Sequence, residues 1–194
     1  VFTETDMATF VKNMKSDKKN YLRFCRIIDD NPELKNDLDT DFIYSFKHGP
    51  TRGDTFYLFM GEAGSKTEMH HAMPATLFVQ IKGKKKWTIY APEERIMLDP
   101  VAKRMPYHYT KANPYNLSDP NFPLLKFAKY YQFELDEGDI MWMPPFYWHY
   151  VENLSQNVAI AFKHLDVPLA FKLSKTLSAL FFLRTKPTII ESIL

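Results

Sequence analysis

Apolar and polar residues alternate with a period of two through most of the middle of the chain. Phe56-Tyr57-Leu58-Phe59-Met60 is an apolar run between Thr55 and Gly61, and Lys86-Trp87-Thr88-Ile89-Tyr90 alternates until Ala91-Pro92 stops it. Tyr131–Leu135, Ile140–Met143 and Val158–Phe162 repeat the pattern, as half-buried strands do. The connections are turn-like: Glu62-Ala63-Gly64-Ser65, Lys82-Gly83-Lys84-Lys85 and Asp136-Glu137-Gly138-Asp139. One longer strand-like stretch, Thr67 to Gly83, carries His70 and His71, and Gly138 to His149 answers it downstream. Tyr21–Ile28 reads as an earlier strand.

Toward the ends the period changes. Met7, Phe10, Val11 and Met14 recur at spacings of three and four, predicting a first helix capped by Thr3 or Thr5 and broken at Asp17–Asn20. Asp30-Asn31-Pro32-Glu33-Leu34 predicts a short helix start with Pro in its first turn, and residues 41–53 predict an irregular loop punctuated by Gly49-Pro50, with His48 a solvated side chain. Residues 93–132, with five prolines, form a long connection of a kind that is usually functional or excursive. His108 lies within it and reads as a surface residue. Asp166-Val167-Pro168 predicts the cap of one helix whose face carries Leu169, Leu173, Leu177, Leu180 and Phe181, a stripe suited to core packing or to a homodimer contact. The expectation is a single domain over 1–194: an all-β jelly-roll or barrel core over about 53–164, an N-terminal cover over 1–52 and a C-terminal helical segment over 165–194.

Composition narrows the function classes. With 25 Lys+Arg against 23 Asp+Glu the net charge is +2, so nothing calls for nucleic acid or an anionic membrane as partner. The single cysteine, Cys25, excludes an intrachain disulfide and a Cys-rich zinc site. No apolar run reaches the roughly 18 residues that span a bilayer, and a cytoplasmic location is the expectation. The chain opens on Val1, so a fragment of a longer protein is also expected.

Two imidazoles brought by separate strands to one barrel mouth are a candidate metal site, since histidine is the commonest protein metal ligand near neutral pH. Read without context, each candidate has a plainer alternative. Lys85 sits in the run Lys82, Lys84, Lys85, Lys86, as a solvated hairpin tip would, and His149 lies between aromatics, as a satisfied core histidine would.

The ordered set of segments changes that balance. Thr67-x-x-His70, then Gln80-Ile81-Lys82-Gly83-x-Lys85-x-Trp87, then Gly138-Asp139-x-x-x-x-Pro144-x-x-x-Trp148-His149-x-Val151-Glu152-Asn153-Leu154 resembles the cupin-like JmjC family of Fe(II)/2-oxoglutarate oxygenases, which includes an asparaginyl hydroxylase. The resemblance runs from about Tyr21 to His164. It implies a double-stranded β-helix that binds Fe(II) and 2-oxoglutarate, with His70 and His149 as metal ligands and catalytic residues. It further implies that Thr67 and Lys85 hold the distal carboxylate of 2-oxoglutarate, and that Thr76 stands near the cofactor where a relative has asparagine. A lysine in a dry barrel suits that carboxylate as a charge-assisted partner.

Two positions depart from the pattern. Ala72 occupies the place of the carboxylate metal ligand, and Ala161 that of a second polar cofactor contact. Loss of the carboxylate removes one anionic donor and opens a coordination position. Three readings follow: a hydroxylase-like oxygenase whose third ligand is water, His71 or Glu68; a halogenase with chloride in the position vacated at Ala72; and a non-catalytic binding module. The substrate class expected is a small molecule or a peptide side chain. Tyr57, Trp142, Tyr147 and Trp148 are further candidates to line the pocket.

Overall fold

The computed structural model describes residues 5–14, 20–47, 54–98 and 108–184. His48 and Gly49-Pro50 lie outside them, and so do the side chains of His108, Leu180 and Phe181.

Helix α1 (Met7–Met14) buries Phe10 and Met14. Its start is held by Asp6, whose carboxylate accepts from the Thr9 amide at 2.8 Å, rather than by Thr5; Thr3, the other predicted cap, lies outside the described residues. Strand β1 (Tyr21–Cys25) is shorter than predicted: Ile27 and Ile28 belong to a single helical turn, α2 (Ile27–Asp30), followed by a 3-10 turn at Pro32–Asp37. The loop expected over 41–53 is helical in its described part, α3 (Thr40–Ser45), because the Asp39 side chain accepts from the Phe42 amide and caps it. These pieces cover one face of the barrel.

The barrel follows: β2 (Thr55–Gly61), β3 (Lys66–His71), β4 (Ala75–Lys82), β5 (Lys85–Tyr90), β6 (His108–Tyr109), β7 (Tyr130–Leu135), β8 (Ile140–Met143), β9 (Trp148–Asn153) and β10 (Asn157–His164). The predicted stretch from Thr67 to Gly83 is thus two strands in different sheets, separated at residues 72–74. One sheet runs β1-β2-β10-β4-β8 and the other β6-β3-β9-β5-β7; every pairing is antiparallel. Consecutive strands repeatedly switch sheets, as in a jelly roll.

Three hydrophobic layers result. Between the sheets, Phe59 and Phe78 from one side meet Trp87, Ile89 and Val151 from the other. Outside the first sheet, Ile28 and Ile43 of α2 and α3 pack on Phe56, Leu77 and Phe162. Outside the second, the long connection lays Leu98, Ala112, Leu125 and Ala128 over Met69, Tyr90 and Trp148. The excursion is therefore structural cover for the outer face of the sheet that carries both histidines.

The single C-terminal helix predicted from the leucine stripe is two helices, α4 (Val167–Leu173) and α5 (Lys175–Arg184). Ser174 is extended (φ −157°, ψ 100°) and its hydroxyl accepts from the Leu177 amide, ending one helix and starting the next. Ala170 and Leu177 are buried against Met73 and Phe146, so part of the stripe is used within the chain. Among the described residues no helix is long and apolar enough to cross a membrane.

Candidate functional site

The site is built by a slip in one strand. Thr67 of β3 pairs with Val151 and His70 pairs with His149, and the register shifts between them. Three residues apart, Thr67 and His70 would face opposite sides of a regular strand; the bulge resets the parity, and both side chains line the same inter-sheet chamber. His71 turns to the other layer, its ring 4.3 Å from that of Trp148 and 5.8 Å from that of Phe146. Glu68 is exposed. Neither takes the place of a third ligand in the chamber: on a regular strand Glu68 would share the face of His70, and the bulge turns it to solvent, whereas His71 faces outward as alternation requires.

His70 and His149 meet across the β3–β9 pair with ring centroids 4.1 Å apart. Each Nδ1 is paired with the backbone carbonyl two residues earlier, that of Glu68 at 2.8 Å for His70 and that of Tyr147 at 3.0 Å for His149. A carbonyl only accepts, so each Nδ1 carries the proton and each Nε2 keeps its lone pair, the tautomer that metal-binding histidines adopt. Burial pushes the His70 pKa down to about 4. Burial and the neighbouring His70 hold His149 well below its ordinary value. Both rings are neutral donors at pH 7.

The other end of the chamber is organised by Lys85. It is fully buried, which rejects the hairpin-tip alternative for this residue; of its neighbours, Lys82 is exposed and Lys84 is part-exposed, pairing with Glu134 and Asp136 at 3.1 and 3.0 Å. The Lys85 ammonium donates to the Tyr21 hydroxyl at 3.1 Å and to Asn153 Oδ1 at 3.0 Å. Asn153 Nδ2 in turn donates to Ser65 Oγ, and the Tyr21 hydroxyl is also hydrogen-bonded to Thr67. Burial pushes the Lys85 pKa down to about 7. Two of the three ammonium protons are taken by neutral groups, which leaves one for a ligand.

The chamber between these ends measures about 420 Å³, part of it open to solvent. The structure brings Thr67, His70, Thr76, Lys85 and His149 together on its wall, with Ala161 beside them. Ala72 is buried at the end of β3, where its carbonyl accepts from the Phe146 amide at 2.8 Å, and it is not part of that wall. Tyr57, Trp142, Tyr147 and Trp148 are not part of it either; Trp148 packs in the outer layer with His71. Tyr21 and Lys163 were not singled out from the sequence as wall or anchor residues, and Trp87 and Asn153, both within the matched motif, were given no role there. Phe24, whose ring also lines the chamber, has φ 57°, a left-handed conformation uncommon for an aromatic residue, within the β1–β2 register slip.

Chemically, the chamber offers two neutral imidazole nitrogens at one position and a lysine with hydroxyl neighbours at another. The first set suits a divalent ion. The second suits a carboxylate. Among the described residues no group of three or more His, Cys, Asp or Glu side chains converges on a metal position.

Residues 2–164 match the family described as the cupin-like domain. Among curated proteins, the chain is 26% identical over 155 residues to JmjC domain-containing protein D of Dictyostelium discoideum, covering 75% of this chain and 35% of that protein. It is 31% identical over 128 residues to HSPB1-associated protein 1 of Bos taurus, covering 63% and 26%. It is 25% identical over 161 residues to lysine-specific demethylase JMJ30 of Arabidopsis thaliana, covering 79% and 36%. The chain therefore spans about a quarter to a third of the length of the curated relatives it matches.

Proposed function

Because the chain belongs to the cupin-like JmjC family, a family of Fe(II)/2-oxoglutarate oxygenases, we propose that it is a hydroxylase-like oxygenase with an incomplete set of protein metal ligands. His70 and His149 would hold Fe(II) through their Nε2 atoms, and Lys85, Thr67 and Tyr21 would hold the distal carboxylate of 2-oxoglutarate. Bound iron would supply the activation of dioxygen coupled to oxidative decarboxylation of the 2-oxoacid. The observation that carries the reading is the matched pair of Nδ1 hydrogen bonds, which turns both free ring nitrogens into metal donors on one chamber wall.

The remaining tasks fall to the chain's own groups. Glu68 and Tyr147 carbonyls fix the two rings, Asn153 and Ser65 hold the lysine, and Phe59, Phe78, Trp87 and Val151 keep water from the ends of the ligand. Under anaerobic conditions Fe(II) with 2-oxoglutarate should give a visible charge-transfer band with the native chain and none with His149→Ala. Admission of dioxygen should then release succinate. Absence of both band and succinate defeats the proposal.

Ala72 keeps a halogenase as the second reading, with halide at the vacated position. Mass spectrometry of products formed with and without chloride separates added halogen from added oxygen.

A further inference from the structure

On one side of the sandwich both sheets end in strands whose outer edges have no partner among the described residues. β7 closes one sheet and β8 the other, and only the turn Asp136–Asp139 separates Leu135 from Ile140, so the two free edges lie side by side. Unpaired edges are ordinarily blunted by bulges, prolines, basic side chains or shortness. The opposite side of the sandwich shows such devices: β1 carries Arg23, a register slip and the left-handed Phe24, and β6 is two residues long. Neither β7 nor β8 contains a proline, a lysine or an arginine, and both pair with their inner neighbours without a slip.

The inter-sheet core is open between these edges. Tyr131 stands opposite Ile89, an inter-sheet residue, and so projects from the core side of its sheet, yet it is 69% exposed. Phe133 and Met141, which pack on the same core, are only half-buried. Tyr130, Ile140 and Trp142 are exposed on the same two strands, and Phe127, just before β7, is 63% exposed. Exposed apolar surface concentrated in this way marks an interface. Glu134 is the only charged residue of the two strands, and it is paired with Lys84 of its own chain, so no unpaired like charges oppose self-association.

The pairing of the edges selects the occupant. A single extended peptide would pair with one edge and leave the other, and the side chains between them, in water. A partner that satisfies both must itself present two strand edges at the spacing of packed sheets, about 10 Å. The same side of a second copy presents them, turned by a two-fold axis. We infer that the chain forms a homodimer through this side, β7 pairing antiparallel with β7 and β8 with β8 of the second copy. Each sheet then runs on into its counterpart, and Tyr131, Phe133 and Met141 become buried. This surface is separate from the C-terminal helices, whose Ala170 and Leu177 are already buried within the chain, and the inference takes nothing from iron or a 2-oxoacid.

Analytical ultracentrifugation of the full chain at tens of micromolar should give twice the monomer mass of 22.8 kDa. Tyr131→Lys and Ile140→Lys, both at exposed positions, set like charges against each other across the two-fold axis and should each raise the dimer dissociation constant by roughly tenfold or more. Phe171→Lys, at an exposed position on α4, should leave it unchanged; circular dichroism checks that the variants fold. Amide hydrogen exchange of the native chain needs no variant: residues 130–143 should lose protection on dilution while β2 and β10 keep theirs. A monomer at every concentration would overturn the inference and leave the edges to a partner of another kind. A dimer whose exchange over 130–143 ignores dilution would overturn it too, as would one lost in Phe171→Lys and kept in both edge variants.

Discussion

Replacing Lys85 with methionine should make the ligand-free protein more stable while abolishing its hold on 2-oxoglutarate. Burial lowers the lysine pKa from 10.5 to about 7. Each pKa unit is worth about 1.4 kcal/mol, so keeping the group charged costs on the order of 5 kcal/mol at pH below 7. Methionine removes that cost and fills most of the same volume. Against this, Asn153 Oδ1 loses its lysine donor, a penalty of roughly 1–3 kcal/mol, while the Tyr21 hydroxyl keeps Thr67. The net gain expected at pH 7 is about 2 kcal/mol.

The sign with pH is fixed by linkage. Between about 7 and 10.5 the unfolded chain holds the Lys85 proton more tightly than the folded one, so native stability rises across that window and the advantage of Lys85→Met shrinks. Lys163, lowered to about 8 by burial, adds a similar slope to both proteins and cancels in the comparison. Urea unfolding at pH 7, 8.5 and 10, read by tryptophan fluorescence, measures the gap. Added 2-oxoglutarate at a hundred times its dissociation constant should stabilise the native chain by about 2.7 kcal/mol and the variant not at all, reversing their order. A variant less stable than the native chain at pH 7, or a gap that does not narrow toward pH 10, would refute the claim that a buried charge is kept here for a ligand.

Other expectations test other parts of the site. Ala72→Asp, two residues past His70 and of the same parity, should tighten Mn(II) binding by tenfold or more in competition with a chromophoric chelator, and no gain would mean that residue 72 does not serve the histidine pair. Because His70 titrates near 4 when folded and near 6.5 when unfolded, its contribution to stability is complete above 6.5 and is lost as pH falls toward 4; His70→Gln should flatten that part of the acid-unfolding curve. Gly83 has φ 75°, and a Cβ there would come within 2.1 Å of the Gln156 carbonyl oxygen. Gly83→Ala should therefore cost on the order of 3 kcal/mol by thermal unfolding and displace the hairpin that delivers Lys85.

Much of this was legible in the chain because strand alternation and spacing are local. The period of two located β2, β5, β7, β8 and most of β10, and the ordered motifs selected His70, His149, Thr67 and Lys85, all of which meet in one chamber. What escaped depends on pairing at long range. Tyr21 reaches Lys85 because β1 joins the edge of the sheet beside β2, and Asn153 reaches it because β9 lies beside β5. Lys163 was missed by one residue: the apolar run ends at Phe162, yet Ala159, Ala161 and Lys163 share a face, and extending the alternation past the last apolar residue would have found it. The Thr67–His70 spacing held a further signal, since two side chains three apart cannot share a strand face without a bulge. The same bulge undoes Glu68, which regular alternation had placed beside His70. The break at Ser174 is also readable afterwards, as a serine three residues before Leu177 whose hydroxyl caps the second helix.

The central claim is that two neutral imidazoles from β3 and β9 share one metal ion while Lys85 holds an acid at the far end of the same chamber. Anomalous diffraction from crystals of the full chain grown with Mn(II) and 2-oxoglutarate reads both at once. The account predicts one peak within bonding distance of Nε2 of both His70 and His149, with a carboxylate of the 2-oxoacid on the Lys85 ammonium. A peak on His71 or elsewhere, or a 2-oxoacid that does not touch Lys85, would contradict it.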